Sequence, residues 1–149
     1  MLCRMSMNAA AARALFATAR VAHLATVGAD GRPHLVPIAF ALDGDTLYTA
    51  VDQKPKRTTQ LRRLENVAAN PSVSVLADHY DEGDWSALWW VRADGEARII
   101  ALDDPRQTQV AALLQARYEQ YRRRPPAGPA IAVSVSRWSG WRAAGAPQG

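Results

Sequence analysis

The sequence is poor in the residue types that several classes of protein require. It has one cysteine, Cys3, so an internal disulfide cannot form, and no Cys/His cluster has the spacing of a metal site. No apolar run approaches the roughly 18 residues that a membrane-spanning helix needs. The start, MLCRMSMNAAAARALF, lacks the continuous apolar stretch of a signal peptide. We therefore expect a reduced, cytoplasmic protein with no metal and no membrane span.

Motifs for two common chemistries are also missing. No GxGxxG or GxxxxGK[ST] pattern is present, so a Rossmann-type or Walker-type phosphate site is not supported. The three histidines, His23, His34 and His79, are widely spaced in the sequence, and no serine or cysteine stands in a nucleophile motif. Hydrolysis by a catalytic triad is therefore disfavoured.

The composition indicates a single folded domain with an affinity for anions. The chain has 149 residues, of which 48% are hydrophobic, and its net charge is +4. This charge favours a phosphate-bearing cofactor, an acidic substrate or nucleic acid. Nucleic acid is not expected, because the run of arginines at 122–124 before Pro-Pro is typical of solvated surface. We expect one domain over residues 1–149, with residues 1–7 and 143–149 as disordered tails.

Periodicity and turn signals predict a mainly β protein with flanking helices. Strands are predicted at residues 21–27, 34–42, 46–51, 72–78, 86–93, 96–102 and 130–138, and helices at 9–19, 56–70 and 104–121. Asp-Gly pairs at 30–31, 43–44 and 94–95 predict hairpin turns. Six or seven strands joined in this way favour an antiparallel barrel. Pro37 has no N–H for a ladder, so its strand should be an edge or be broken there.

The densest chemical signal lies at residues 51–60, between the third strand and the second helix. Lys54, Lys56 and Arg57 bring three positive charges together, and Thr58 and Thr59 add hydroxyl donors. Cations at a helix start oppose the helix dipole unless an anion is bound there. This segment, which we name the cationic elbow, is therefore a candidate phosphate site. The alternative is a solvated basic turn.

A second signal is the proline-containing strand. Pro37 leaves neighbouring backbone groups unpaired by the sheet, and such groups can bind the heteroatom edge of a flat ring. His34 is a candidate proton donor beside them. The alternative is a proline bulge at a barrel corner with a surface histidine.

Aromatic residues and a second histidine give further candidates. His79 and Tyr80 are candidate acid/base groups. Trp89 and Trp90 are adjacent on one strand and so point to opposite faces. One can enter the core, and the other must face a ligand, another subunit or solvent. Trp138, Trp141 and the neighbouring arginines form another aromatic and basic cluster.

Several segments in order resemble the flavin-binding split β-barrel family, whose founding member is pyridoxamine 5′-phosphate oxidase. They are HLATVGADGRPHLVPIAF, LYTAVDQKPKR and NVAANPSVSVLADHY. The segments DWSALWWVRADGEA and RWSGWRA resemble one actinobacterial branch of that family, to which dependence on the deazaflavin coenzyme F420 is generally assigned.

The resemblance implies a homodimer with two cofactor sites at its interface. The implied phosphate ligands are Lys54, Lys56, Arg57 and Thr58; the ring would lie along Leu35, Val36, Pro37 and Ile38; and the partner would close the site with Trp138 and Trp141. The chain departs from the commoner Lys-x-Arg-Asn-Leu helix start. It also lacks the long C-terminal segment with which pyridoxamine phosphate oxidases bind substrate, so that activity is disfavoured.

The implied function is an F420-dependent oxidoreductase that transfers a hydride between the reduced deazaflavin and an unsaturated small molecule. A proton could come from solvent, Tyr80, His79 or His34. FMN carries a phosphate too and would satisfy the same cations, so an FMN-dependent enzyme is an alternative. A non-catalytic carrier of a cofactor or haem is another, and a basic nucleic-acid-binding barrel is a third.

Overall fold

The computed structural model describes residues 4–51 and 58–143, with side chains described for residues 6–51 and 62–143. These residues form eight strands and four helices. The strands are β1 (Arg4–Ser6), β2 (Ala22–Val27), β3 (Pro33–Ile38), β4 (Ala41–Asp43), β5 (Thr46–Ala50), β6 (Ser72–His79), β7 (Trp89–Ile100) and β8 (Ala130–Ala143). The helices are α1 (Ala9–Phe16), α2 (Thr58–Ala69), α3 (Arg106–Arg117) and α4 (Glu119–Arg123). A short 3-10 turn covers Trp85–Ala87.

The strands form one antiparallel sheet that curves around a shared interior. Their order is β3-β2-β6-β7-β8-β5-β4, and β1 pairs with β8. Ile38 of β3 and Leu47 of β5 belong to the same buried cluster although four strands separate β3 from β5 in the sheet. The sheet therefore closes towards itself as a barrel. The mainly β, antiparallel architecture with flanking helices is confirmed.

Three helices cover the barrel at different places. Asn8 caps α1 by accepting a hydrogen bond from the Ala11 N–H at 2.8 Å, as the sequence predicts. Phe16 of α1 and Val67 of α2 are buried in the interior. Helix α3 packs on β4 and β5, where Val110 and Leu114 belong to a second buried cluster.

The β2–β3 hairpin forms as the sequence predicts. Gly31 has φ of 79°, the conformation that favours glycine, and Asp30 accepts a hydrogen bond from the Arg32 N–H at 3.0 Å. Among the described strands, β3 has only β2 as a neighbour. Pro37 therefore lies on an edge strand, where its missing N–H costs the sheet nothing.

The predicted hairpin at Asp94-Gly95 is wrong. Residues 89–100 form one continuous strand, and the pairing of β7 with β8 shifts register by one residue at this point. Asp94 accepts hydrogen bonds from the Ser74 hydroxyl at 2.6 Å and from Arg92 Nε at 3.1 Å. Gly95 has no side chain to obstruct the Ser134 backbone, which lies against it. The Asp-Gly pair thus serves a β-bulge instead of a turn.

Two further boundaries differ from the predictions. The predicted strand at 34–42 is divided at residues 39–40 into β3 and β4, which pair with different strands. Arg4–Ser6 lies within the predicted disordered tail but forms β1, which pairs with the end of β8. These changes follow from long-range pairing, which local periodicity does not report.

The predicted helix at 104–121 is interrupted. Asp104 accepts a hydrogen bond from the Arg106 N–H at 2.9 Å, so the predicted capping group is in place. At Tyr118, however, the backbone is extended, with φ of −122° and ψ of 121°, which separates α3 from α4. The sequence contains no proline or glycine at this point, so the break could not be anticipated.

Candidate functional site

Most of the cationic elbow lies outside the described residues. Lys54, Lys56 and Arg57 are not described, and Thr58 is described only as the first residue of α2. At the start of the elbow, Val51 is buried and its N–H donates to the Pro129 carbonyl at 2.9 Å. At its end, α2 begins with no acidic residue in its first turn. Both ends of the elbow are therefore placed, and its four predicted phosphate ligands remain a prediction.

The first two turns of α2 add two arginines that the sequence prediction omitted. Arg62 and Arg63 lie close enough to His34 on β3 to act on its imidazole. Burial, then the charges of Arg62 and Arg63, hold the pKa of His34 below its usual value of 6.5. His34 is therefore neutral at pH 7. Its Nδ1 is buried and has no hydrogen-bond partner among the described residues.

The His34 environment gives a prediction about pH. Below about pH 6.5 the folded protein holds fewer protons at His34 than the unfolded chain does, so stability falls as the pH drops through this range. Replacing Arg62 with glutamine should raise the pKa of His34 towards its usual value and weaken this loss. Histidine NMR titration measures the pKa. The matched variant Arg122→Gln, on exposed α4, should leave the pKa unchanged, and an equal shift in both variants would contradict the assignment.

The predicted ring-binding strand presents two different faces. Leu35 is 66% exposed, and Pro37 beside it is also exposed. Val36 packs against the interior, and Ile38 is buried there. Since alternate residues of a strand point to opposite faces, a ring lying on the outside of β3 would meet the side chains of Leu35 and Pro37, but only the backbone of Val36 and Ile38.

The outward row that contains Pro37 extends across the sheet. Each residue of the row pairs with the next one on the neighbouring strand. In order, the row is Pro37, His23, Leu76, Arg92 and Ser139. Side chains directly opposite each other share a face. We call this surface the outer face. It spans β3, β2, β6, β7 and β8 and is half-buried or exposed throughout this row.

Trp138 and Trp141, which were predicted to close the partner's site together, lie on opposite faces of β8. Trp138 is opposite Ala93 and packs against the interior, with its ring 5.3 Å from that of Phe16. Its Nε1–H donates to Asp45 Oδ1 at 3.0 Å. That hydrogen bond and the one from Arg13 lower the pKa of Asp45. Trp138 is thus engaged within its own subunit.

Trp141 lies on the outer face with a partner that the sequence left unassigned. It stands opposite Trp90, whose chain neighbour Val91 is fully buried, so both indoles point away from the interior. Trp89 faces the other way and stacks on His79, with ring centroids 6.4 Å apart. The alternation of Trp89 and Trp90 between two faces is therefore confirmed.

His79 and Tyr80 lie far from His34. His34 pairs with Thr26 of β2, which lies level with the start of β6. His79 is the last residue of β6. At about 3.3 Å per residue, the six positions between these levels amount to roughly 20 Å. His79 borders an open cavity of about 550 Å³ that is also lined by Thr18, Ala19, Arg20, Val21, His23, Asp78 and Trp89. Tyr80 is 66% exposed. The three candidate proton donors therefore form no single catalytic group.

The described residues contain neither a metal-binding cluster nor a membrane-spanning helix. In residues 4–51 and 58–143, no group of three or more His, Cys, Asp or Glu side chains could hold a metal ion. No helix in these ranges is both long and apolar enough to cross a bilayer.

The antiparallel sheet, its edge strand with a proline and its capping helices define a split β-barrel protein. The family model described as pyridoxamine 5′-phosphate oxidase matches residues 9–142, and the chain therefore belongs to that family. The resemblance stated from the sequence is confirmed. A search of curated proteins found no match.

Solved structures share the fold over nearly the whole chain. An FAD-binding protein from Mesorhizobium loti has a TM-score of 0.73 at 20% identity, covering 95% of this chain and 99% of its own. A conserved protein, Rv2991, from Mycobacterium tuberculosis has a TM-score of 0.71 at 21% identity, covering 91% and 85%. An FAD-binding protein from Mycobacterium smegmatis has a TM-score of 0.61 at 19% identity, covering 94% and 98%. At these identities, the likeness establishes the fold.

Proposed function

We propose that this chain binds the deazaflavin coenzyme F420 and acts as an oxidoreductase on an unsaturated small molecule. The observation on which the proposal rests is the position of Arg62 and Arg63 beside His34 on β3, directly after the cationic elbow. With Lys54, Lys56 and Arg57, they make five cations within ten residues. Such a density of positive charge at a helix start is expected where a phosphate is bound.

The described residues fit a phosphorylated ring cofactor in two respects. His34 Nδ1 is a buried polar atom without a protein partner among the described residues, beside two guanidinium groups. On the opposite face of β3 from His34, Leu35 is exposed, and the free edge of this strand carries backbone groups that β2 does not pair. Lys54, Lys56, Arg57 and Thr58 would hold the phosphate, and residues 35–38 would hold the ring.

When bound, the reduced deazaflavin supplies a hydride for an electron-poor double bond. The protein's part is to position the ring and exclude water. Neutral His34 can donate or accept a hydrogen bond, but its low pKa makes it a poor source of the proton at pH 7. Solvent is then the simplest proton donor, because His79 and Tyr80 stand at the other end of β6.

The proposal includes a homodimer. The outer face exposes Leu35 and presents the paired Trp90 and Trp141 away from the interior. Indoles in such a position favour burial against another subunit. Trp141 is the better candidate for closing the partner's site, because the indole of Trp138 is bonded to Asp45 within its own subunit.

Flavin is the second candidate cofactor. Two structural relatives are FAD-binding proteins, and FMN would also satisfy the phosphate ligands. Titration with F420, FMN and FAD, each followed by the quenching of its fluorescence, separates the candidates. We expect micromolar binding of F420 and at least tenfold weaker binding of both flavins. Tighter binding of FMN or FAD would move the function to a flavin enzyme. Binding of none of the three would remove the enzymatic function.

A further inference from the structure

The break between α3 and α4 places one side chain at the open end of the β2–β3 hairpin. Tyr118 leaves the helical conformation, and its hydroxyl donates to the Arg20 carbonyl at 2.9 Å and accepts from the Phe40 N–H at 3.1 Å. The last paired residues of the hairpin are Ala22 and Ile38. Arg20 and Phe40 lie two positions further out in this register, so the hydroxyl joins the two chains where they separate.

Arg117, the residue before, holds the same two segments. Its Nη1 donates to the Ala17 carbonyl at 2.8 Å, and its Nη2 donates to the Ala19 carbonyl. The guanidinium lies over the ring of Phe40, 4.8 Å from its centroid. Arg20 in turn donates to the Arg117 carbonyl at 2.7 Å. We call Arg117 and Tyr118 the α3 latch.

The latch acts at the corner that follows β3. Among the described strands, β3 has one neighbour, so contacts beyond that pairing help to fix its carboxyl end. They include the Tyr118 hydroxyl on the Phe40 N–H, the Arg117 guanidinium on the Phe40 ring, and the Thr49 hydroxyl of β5, which donates to the Ala39 carbonyl at 2.8 Å. The Phe40 ring is also buried in the core, with its centroid 5.0 Å from that of Phe16. Removing the latch leaves the corner held by this core contact and by β5.

We propose that Tyr118, supported by Arg117, is a positioning residue that sets the alignment of β3 for cofactor binding. This inference rests on the proposed function, since β3 is the strand assigned to the ring. The latch touches no residue assigned to the cofactor, so it acts through the backbone at the carboxyl end of β3. A shift of this end moves the residues of β3 that are assigned to the ring, and small misplacements of a binding element are costly.

The test uses Tyr118→Phe, which removes the hydroxyl and keeps the ring against Tyr121. We expect exchange of the Phe40 amide hydrogen to accelerate at least tenfold, because its acceptor is gone. We expect the Kd of F420 to rise about five- to tenfold, the size of one lost hydrogen bond. The control is Val110→Ala in the same buried cluster, which lowers stability but leaves the Tyr118 hydroxyl and its two hydrogen bonds in place. Its Kd should be unchanged.

Each of the other outcomes contradicts the proposal for a different reason. A faster Phe40 amide with an unchanged Kd would show that the latch is structural only. An equal rise in Kd for Tyr118→Phe and Val110→Ala would show that affinity follows stability alone. If the unaltered protein binds neither F420 nor a flavin, the proposed function fails and the positioning role fails with it, while Phe40 exchange still reports whether the latch holds the corner.

Discussion

Replacing Lys56 and Arg57 together with alanine should weaken binding of the phosphorylated cofactor about 100-fold or more and leave the fold intact. Hydrogen bonds to charged groups contribute about 1.5–3 kcal/mol each, and every 1.4 kcal/mol is about tenfold in Kd. Both residues lie outside the described ranges, between buried Val51 and the start of α2. Kd by fluorescence titration and Tm by thermal melting measure the two parts of the prediction.

The matched control removes the same charge elsewhere. Arg122→Ala with Arg123→Ala lies on α4, where both side chains are exposed and Arg123 pairs with Glu119 one turn away. Such surface pairs contribute little to stability. Equal weakening by both double variants would mean that net charge alone attracts the cofactor. An unchanged Kd in the Lys56/Arg57 variant would place the phosphate elsewhere.

Replacing Gly95 with alanine should destabilise the protein by more than about 3 kcal/mol, which lowers Tm by roughly 10 °C. A Cβ at this position would lie 2.1 Å from the Ser134 carbonyl oxygen and 2.9 Å from its carbonyl carbon. Both are backbone atoms of β8, the longest strand, which also pairs with β5 and β1. The clash therefore cannot be relieved by turning a side chain.

A second glycine provides the comparison. At Gly83, in the exposed turn before the 3-10 segment, the nearest atom to an added Cβ is the flexible Asp81 carboxylate, 3.4 Å away. Gly83→Ala should change the free energy of unfolding by less than about 0.5 kcal/mol. If Gly95→Ala has the same Tm as the unaltered protein, the close approach of β7 and β8 at the bulge is wrong.

The sequence predicted those parts of the fold that depend on local chemistry. The Asn8 cap, the Asp30-Gly31 turn and the edge position of Pro37 each follow from the geometry of one or two residues. Asp94-Gly95 has the same composition as a turn, yet a β-bulge uses it because β8 approaches there. The break at Tyr118 likewise depends on a hydroxyl that reaches two distant backbone groups. Neither partner is visible in a local window.

The sequence indicated which residue types make up the candidate site better than it indicated where their side chains lie. The density of cations after β5 pointed to a phosphate, and the folded structure brings Arg62 and Arg63 of α2 near His34. Trp138 and Trp141 are three positions apart on a strand, and the alternation of strand faces separates them. The pairing of Trp141 with Trp90 depends on the register between β7 and β8, which the alternation alone does not give. The engagement of Trp138 by Asp45 required the folded structure.

The central claim is that the cationic elbow binds a phosphate, and a binding cycle with and without that phosphate tests it most directly. FMN and riboflavin differ only in the phosphate. The bare chromophore of F420 lacks both the phosphate and the acidic glutamyl tail, so that comparison measures the two groups together. In the unaltered protein, removal of the phosphate from whichever cofactor binds should weaken binding at least 100-fold, and in the Lys56/Arg57 double variant less than about threefold. Equal affinity of the unaltered protein for the phosphorylated and dephosphorylated forms would contradict the claim.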